Sequence, residues 1–353
     1  MSEEPVESRI WRRRSILDRL YSGATGRGLR FFEEGWGPEA QIKAFGALPD
    51  RVGEPGRLEL LWTWRRESRG VLLQRGVFTS PMADRLPAES HRAHVLLVLP
   101  RGRRPPLTED VAPGSRGPIA LQLAATGDQG FGRRLRAFAL PLARRGIASL
   151  ILENPFYGVR RPHDQVGVLL NRFTDLLTMG EATVREGWAL LEWLARRGFG
   201  PLAVTGVSMG GHMSSIIGAV TRRPVAIVPC IGMHSAAPVF ADGILSEQLA
   251  WDVLGASVGG AEAARERVRE VLAASDVRRY PMPERPDATI GVSALRDAYI
   301  HTGSIQLIAS HWPGAEIRWV PAGHVRAYLA HASAFREAVV DALERLQAPP
   351  RAA

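Results

Sequence analysis

The chain has 353 residues, of which 45% are hydrophobic and 23% charged, a composition typical of a globular protein with one large domain and insertions. Its formal net charge of +9 is carried by arginine, because Lys43 is the only lysine. The sequence has no zinc-finger spacing, heptad-linked basic region or RNA-binding aromatic motif, so the charge predicts a basic surface and no nucleic-acid partner.

Residues 1–50 are predicted to be an N-terminal extension to a main domain that covers residues 51–353. Within the extension, residues 9–32 place Ile10 and Leu17 near one helical face and most of the arginines elsewhere. A basic amphipathic helix of this kind either packs on its own domain or lies on an anionic membrane, and both interpretations stay open. Because there is no apolar signal region and no apolar run of about 18 residues, we expect a cytoplasmic protein, at most peripheral to a membrane.

The main domain is predicted to contain short strands first, and strands that alternate with helices afterwards. The early strands are expected over residues 57–64, 71–78 and 94–99, before a surface loop over residues 101–117. Later apolar runs predict strands over residues 119–124, 147–152, 202–205, 224–231, 289–293 and 316–320. Helical patterns separate them over residues 133–145, 175–197, 213–220, 303–310 and 326–346, with a mostly helical insertion at 236–286. This alternation predicts an α/β fold with a mostly parallel sheet covered by helices on both faces.

Residues 206–210 (GVSMG) match G-x-S-x-G, a pattern that places a serine nucleophile on a sharp turn between a strand and a helix. The predicted strand at residues 202–205 and the helix that follows supply this context, so Ser208 is the candidate nucleophile. Residues 255–259 (GASVG) match the same pattern, but helical sequence precedes them. We therefore predict that Ser257 lies in a turn between two helices.

A serine hydroxyl is scarcely ionised at neutral pH, so its attack needs a base, and the base needs an acid that orients it. In proteins with this strand–turn–helix arrangement the order along the chain is serine, acid, histidine. Asp297 follows the strand predicted at residues 289–293, and His324 follows the strand at residues 316–320 in a loop of small residues. His324 is the predicted base and Asp297 the predicted acid, with Asp287 as the alternative acid.

The transition state also needs hydrogen-bond donors for its oxyanion. We predict the backbone N–H of Met209 as one donor and the N–H of Asp128, in the loop at residues 126–130 (TGDQG), as the other. The Asp128 side chain should then point away and brace this loop, and Gly127 is a candidate substrate-binding residue. An ordinary turn without a catalytic donor is the alternative.

Several segments, together with residues 34–37 (EGWG), resemble the α/β hydrolases named after abhydrolase domain-containing protein 18. They are TGDQGFGRR (126–134), ASLILENPFYGVRRP (148–162), GVSMGGHM (206–213), SALRDAYI (293–300) and PAGHVRAYL (321–329). The resemblance implies the α/β-hydrolase fold and places Ser208, Asp297 and His324 in a catalytic triad. The sequence departs from many hydrolases at residues 126–128, where Thr-Gly-Asp replaces His-Gly.

The pattern favours hydrolysis of a small-molecule or lipid ester, either a carboxylic ester or a thioester, through an acyl-enzyme. A peptidase of the same fold and a non-catalytic binding protein are the alternatives. The insertion at residues 236–286 is predicted to form a lid, with candidate lining residues Val239, Phe240, Ile244, Leu245 and Trp251, although simple helix contacts explain these residues equally well.

No cofactor is predicted for this chemistry. The pair His91 and His94 has no cysteine or carboxylate at ligand spacing, and no phosphate-binding loop follows a strand. Cys230, the only cysteine, lies in an apolar run, so we expect a buried strand residue and no intramolecular disulfide.

Overall fold

The structure, a computed structural model, describes residues 30–50, 53–68, 70–103, 111–112 and 114–350. Nearly all of the amphipathic segment predicted at residues 9–32, and part of the loop predicted at 101–117, lie outside the described residues. Within the described ranges, no helix is both long and apolar enough to cross a membrane.

A nine-stranded sheet forms the centre of the fold, with the spatial order β1-β2-β3-β5-β4-β6-β7-β8-β9. The strands are β1 (Leu61–Ser68), β2 (Val71–Thr79), β3 (Arg92–Pro100), β4 (Ile119–Leu123), β5 (Ala148–Leu152), β6 (Leu202–Val207), β7 (Ala226–Cys230), β8 (Ile290–Ala294) and β9 (Glu316–Val320). The neighbouring pairs β1·β2, β2·β3 and β3·β5 are antiparallel. All neighbouring pairs after β5 in the spatial order are parallel. The predicted mostly parallel sheet is confirmed.

The central strands are buried along their whole length, which explains why they appear in the sequence as continuous apolar runs. Successive side chains of a strand point to opposite faces, so β6 supplies Leu202 and Val204 to one hydrophobic cluster and Ala203 and Val207 to another. The edge strand β1 is mostly exposed and carries charged side chains, which discourage pairing with other chains.

Helices cover both faces of this sheet. They are α1 (Glu39–Gly46), α2 (Gly132–Arg134, the π-helical turn Leu135–Ala139 and Leu140–Arg144), α3 (Phe173–Arg196), α4 (Met209–Val220), α5 (Ala237–Ala241), α6 (Trp251–Gly255), α7 (Ala261–Leu272), α8 (Thr302–His311), α9 (His324–Ala330) and α10 (Ala332–Gln347). Side chains of α3 and α4 share one cluster with the sheet, and side chains of α2 and α10 share the other. The predicted layers are therefore confirmed.

Two helical regions differ from the prediction. The helix expected over residues 326–346 is divided at His331, whose φ of −117° and ψ of 22° are not helical. The apolar period continues through this break, so the sequence pattern did not reveal it. Helix α1 was not predicted, because its few buried residues, Ile42 and Phe45, give a short pattern.

A third hydrophobic cluster joins residues 31–48 to residues 240–274, segments that are far apart in sequence. It includes Phe156 and Tyr157, which follow β5, so it lies at the carboxyl ends of the parallel strands. The insertion at residues 236–286 is mostly helical, as predicted. This cluster covers the region where the candidate catalytic residues lie.

Candidate active site

Ser208 occupies the turn between β6 and α4, with a φ of 57° and a ψ of −115°. For a residue with a side chain, a positive φ of this kind costs about 1–3 kcal/mol, and it persists only where the surrounding structure enforces it. Here the surroundings leave no room for side chains beside the turn. A Cβ on Gly206 would lie 2.5 Å from the backbone carbon of Gly210, and one on Gly210 would lie 2.8 Å from the carbonyl oxygen of Ala124. The predicted strand–turn–helix is present, and its helix starts immediately after Ser208.

The other nucleophile candidates in the sequence are placed as predicted. Ser257 lies in the turn between α6 and α7 rather than between a strand and a helix. Cys230 is a buried residue of β7, and burial raises the pKa of its thiol to about 12. A thiol with this pKa forms almost no thiolate at neutral pH, so Cys230 is unsuited to nucleophilic attack.

Asp297, in the loop after β8, and His324, the first residue of α9, are brought together. The distance between Asp297 Oδ2 and His324 Nδ1 is 2.7 Å, and Asp297 Oδ1 accepts hydrogen bonds from the backbone N–H groups of Tyr299 (2.8 Å) and Ile300 (2.9 Å). Because a carboxylate oxygen accepts this hydrogen bond, Nδ1 of His324 donates it, and Nε2 of the neutral imidazole then carries the lone pair. The carboxylate, with 2% of its residue surface exposed, thus fixes both the orientation and the tautomer of the imidazole.

Ser208, Asp297 and His324 follow β6, β8 and β9, respectively, so all three lie at the same edge of the parallel part of the sheet. Asp287, the alternative acid, lies before β8 and pairs with Arg285 at 2.8 Å. This position at the amino end of β8 is the opposite end from Asp297. The geometry therefore favours Asp297 over Asp287 as the partner of His324.

A deep, mostly apolar cavity opens beside Ser208. It encloses about 930 Å³ of empty space, counted out to its open mouth. Its apolar wall comes from the N-terminal segment, the loop before α3, α3, α4, the insertion and the loop after β8. The residues include Phe31, Phe45, Leu170, Leu177, Met179, Met213, Ile216, Val239, Phe240, Leu245 and Ile300. Thr126, Ser208 and Met209 lie in the same wall. Ser208 thus lies on the wall of a mostly apolar cavity.

In the loop after β4, the backbone N–H of Asp128 differs from the prediction and the Asp128 side chain agrees with it. The Asp128 N–H donates to the carbonyl oxygen of Ala125 at 3.0 Å, so the turn itself uses the amide that we predicted as an oxyanion donor. This hydrogen bond gives the amide a partner within the loop, which argues against the predicted oxyanion role. The Asp128 carboxylate does brace the loop, since it lies 2.8 Å from Nε of the buried Arg134. Burial raises the pKa of Asp128, and the guanidinium of Arg134 opposes this effect.

The three residues predicted to bind substrate lie in different surroundings. Phe240 lines the cavity, but Trp251 and Gly127 are missing from the described residues that do so. Trp251 donates its indole N–H to Ser246 and is covered by the guanidinium of Arg265, 4.5 Å from the ring centre. Its pattern reflects helix contacts rather than a ligand.

The backbone of Gly127 forms a hydrogen bond with the side chain of Tyr157. Burial raises the pKa of the Tyr157 hydroxyl to about 12, and a hydrogen bond from the Gly127 backbone is a smaller, opposing effect. The cavity wall at this loop is formed by Thr126 and Tyr157 instead.

A buried ionic network holds the loop after β5 in place. Arg160 and Glu186 are both fully buried, and the guanidinium makes two hydrogen bonds, of 2.6 and 2.8 Å, to the carboxylate. Arg160 also donates to the carbonyl oxygens of Glu153 (2.8 Å) and Ser90 (2.9 Å). The network ties the loop that carries Tyr157 to helix α3, which fixes one wall of the cavity.

His212 is a cavity residue to which the sequence analysis gave no role. It lies one helical turn beyond Ser208, is 1% exposed, and lines the same cavity. Burial lowers the pKa of its imidazole to about 4, so the ring is neutral at pH 7. Its spacing from Ser208 within GVSMGGHM was the available signal, but the sequence gave no partner for the ring.

The chain matches the family described as alpha/beta hydrolase domain containing 18 over residues 29–259 and 255–345, which together are most of its length. The chain belongs to this family. The family resemblance indicated by the sequence motifs is thus confirmed.

Solved structures of two esterases and of a further hydrolase share this fold. An acetyl xylan esterase from Paenibacillus sp. R4 is 14% identical, with a TM-score of 0.54 over 94% of this chain and 99% of that chain. Acetyl xylan esterase 1 from Thermoanaerobacterium sp. JW/SL YS485 is 14% identical, with a TM-score of 0.53 over 89% and 97% of the two chains. An S-formylglutathione hydrolase from Agrobacterium tumefaciens is 12% identical, with a TM-score of 0.51 over 81% and 99%. At these identities the likeness establishes the α/β-hydrolase fold.

Proposed function

We propose that this protein is a serine hydrolase that cleaves a carboxylic ester or thioester, with Ser208, His324 and Asp297 as a catalytic triad. The observation that carries the proposal is the hydrogen-bonded pair of Asp297 and His324 at the sheet edge where Ser208 is held in a strained turn. A histidine with an oriented lone pair is the group that a serine hydroxyl needs for attack.

In the proposed reaction, the Ser208 oxygen attacks the acyl carbonyl carbon while its proton passes to Nε2 of His324. The tetrahedral intermediate collapses, and the leaving alcohol or thiol takes this proton, which leaves an acyl-enzyme. Water then gives a proton to His324 and attacks the acyl carbon, and the carboxylic acid leaves as Ser208 regains its proton. Throughout, Asp297 stabilises the imidazolium ion that forms.

Met209 supplies one oxyanion donor in this proposal. It is the first residue of α4, and N–H groups in the first turn of a helix have no partner within the helix. The same groups form the positive end of the helix dipole, which favours a developing negative charge. Met209 lies in the cavity wall beside Ser208, where the acyl carbonyl would bind.

The cavity favours a substrate with an apolar acyl group. Its wall is mostly aliphatic, aromatic and thioether side chains, and burial of each methylene group contributes about 0.8 kcal/mol. Residues 236–286 contribute Val239, Phe240 and Leu245 to this wall, so we propose that this insertion acts as a lid over the acyl group. Ile244 and Trp251 are not among the described residues that line the cavity, so we assign them no contact with the substrate.

A fluorophosphonate probe, which reacts with activated serines, tests the proposal directly. Wild-type protein should be labelled, while Ser208→Ala and His324→Ala should not. Ser257→Ala is the matched control and should be labelled like the wild type, because its serine lies in a turn between helices. Labelling of Ser208→Ala at the wild-type rate, or no labelling of the wild type, would show that the proposal is wrong.

Acyl-chain preference can be measured with 4-nitrophenyl esters. We expect kcat/KM for the octanoate ester to exceed that for the acetate ester by at least tenfold, because six more methylene groups enter the apolar cavity. We extend the proposed substrate class to lipid esters, whose acyl groups are also apolar. Vesicles that contain an anionic phospholipid should bind the protein and release fatty acid, and absence of both results would restrict the substrate to soluble esters.

A further inference from the structure

The loop after β4 uses several of its backbone N–H groups within the protein. Asp128 donates to a carbonyl oxygen of its own turn, and Gly130 donates to Glu153 Oε1 at 2.8 Å. The hydrogen bond between Gly127 and the Tyr157 hydroxyl lowers the pKa of that hydroxyl, so the Gly127 N–H is its donor. These three amides are therefore bound to protein acceptors, which argues against a backbone donor from residues 127, 128 and 130.

Thr126, at the start of the same loop, is placed differently. Its residue is exposed, and it lies in the cavity wall together with Ser208 and Met209. In the part of the chain that the structure describes, the Thr126 hydroxyl has no hydrogen-bond partner. Rotation about χ1 between staggered positions can therefore direct this hydroxyl towards a bound substrate without breaking a hydrogen bond within the protein.

The end of β4 lies against the first turn of α4, which brings Thr126 near the oxyanion donor Met209. A Cβ on Gly210, the residue after Met209, would lie 2.8 Å from the carbonyl oxygens of both Leu123 and Ala124. Thr126 follows this contact by two residues, which span at most about 7 Å. The start of the loop and the start of the helix thus face the same part of the cavity.

Other hydroxyl groups of the cavity wall are committed to backbone acceptors. They are Thr183, which donates to Met179 (2.8 Å), Ser275, which donates to Leu272 (2.6 Å), and Tyr280, which donates to Ala274 (3.1 Å). Thr126 therefore combines three properties that these residues lack: exposure, a hydroxyl without a protein partner, and a position in the loop beside Met209.

A hydroxyl suits the requirements of an oxyanion. Its hydrogen turns towards whichever acceptor is present, and a hydrogen bond to an ionised oxygen is roughly twice as strong as one to a neutral oxygen. Such a donor binds the tetrahedral intermediate more strongly than it binds the ester carbonyl. This difference lowers the barrier to attack, because only interactions that strengthen in the transition state accelerate the reaction.

We propose that the side-chain hydroxyl of Thr126 is the second oxyanion donor and acts together with the Met209 N–H. This inference rests on the proposed function, because it takes Ser208 as the nucleophile. As the bond between Ser208 Oγ and the acyl carbon forms, the π electrons of the carbonyl group move to its oxygen and the serine proton passes to His324. Thr126 keeps its own proton and donates a hydrogen bond to that oxygen.

Thr126→Val tests this inference, because valine keeps the shape of the side chain and the backbone N–H while it removes the hydroxyl. With 4-nitrophenyl octanoate, kcat should fall about 10²- to 10³-fold, the effect of losing one oxyanion donor, while KM stays within a few-fold of the wild type. Thr126→Ser keeps a hydroxyl and should retain kcat within a few-fold. Thr63→Val is the matched control, because Thr63 is exposed on the edge strand β1, and it should behave like the wild type.

An octyl trifluoromethyl ketone gives a second measurement that does not require turnover. An activated serine adds to this ketone and forms a stable hemiketal with a negatively charged oxygen, which resembles the tetrahedral intermediate. Its inhibition constant should rise by about the same 10²- to 10³-fold in Thr126→Val. The octyl methyl ketone, which forms little adduct, should bind the variant and the wild type equally, since the apolar wall is unchanged.

The inference is overturned if Thr126→Val keeps kcat within a few-fold of the wild type, since a backbone donor would then suffice. It is also overturned if Thr126→Ser loses as much activity as Thr126→Val, if Thr63→Val shows the same loss, or if the wild type hydrolyses no ester. Hydrolysis that Ser208→Ala abolishes supports the proposed function by itself. An unaffected Thr126→Val would then contradict the oxyanion role of the hydroxyl and leave the triad in place.

Discussion

Substitution of Asp297 by asparagine tests the proposed orientation of His324 while it preserves the shape of the site. The asparagine carbonyl can still accept the N–H groups of Tyr299 and Ile300, which fixes its amide NH₂ at the former Oδ2 position, 2.7 Å from Nδ1. Two donors cannot face each other, so the imidazole must move its hydrogen to Nε2. This tautomer cannot accept the proton of Ser208.

The expected loss in kcat for Asp297→Asn is about 10⁴-fold, the effect of an imidazole held in the wrong tautomer. It corresponds to about 5.5 kcal/mol of transition-state stabilisation. The free energy of unfolding should change by only about 1 kcal/mol, because each hydrogen bond is kept or replaced. Steady-state hydrolysis of 4-nitrophenyl octanoate and urea denaturation measure the two quantities.

Asp287→Asn is the matched control for this experiment. Its carboxylate is buried and pairs with Arg285, so this substitution should lower stability and leave kcat within a few-fold of the wild type. If Asp297→Asn is folded and retains activity within tenfold of the wild type, Asp297 does not orient the base. A 10⁴-fold loss in Asp287→Asn instead would assign that role to the other carboxylate.

Three further predictions concern stability, each measured by urea denaturation. Gly206→Ala should destabilise the protein by about 3 kcal/mol, because its methyl group would meet backbone at 2.5 Å, while Gly46→Ala, with nothing within 4 Å, should cost almost nothing; equal effects would contradict the close approach. Arg160→Met should cost about 3–5 kcal/mol by leaving buried Glu186 unpaired, and the double variant with Glu186→Gln should lose at least about 1 kcal/mol less than the sum of the single losses, whereas additive losses would argue against the ion pair. The pKa of His212 is lowered to about 4, so below its usual value of 6.5 the unfolded chain binds a proton that the native protein excludes, and stability falls as the pH falls through this window. The wild type should therefore lose about 2 kcal/mol more than His212→Asn between pH 7 and pH 5, and equal losses would show that His212 is not buried in its neutral form.

Features that depend on neighbours in the chain were predictable from the sequence. The turn at Ser208 requires glycines next to it and a strand before it, and all of these lie within a few residues. The continuous apolar runs of β4 to β8 predict buried parallel strands, because both of their faces are covered. Asp297 and His324 could be selected because each follows a predicted strand, and parallel strands deliver their following loops to one edge of the sheet.

Contacts between distant segments were decided only by the tertiary structure. The sequence predicts that Trp251 and Phe240 are both apolar contacts, but the fold places one against Arg265 and the other in the cavity. The Asp128 N–H was assigned to the oxyanion, yet the conformation of its loop directs it to Ala125. The reason is physical: apolar periodicity determines that a face is buried but not what covers it, and a backbone N–H bonds to whichever acceptor the folded chain brings within about 3 Å.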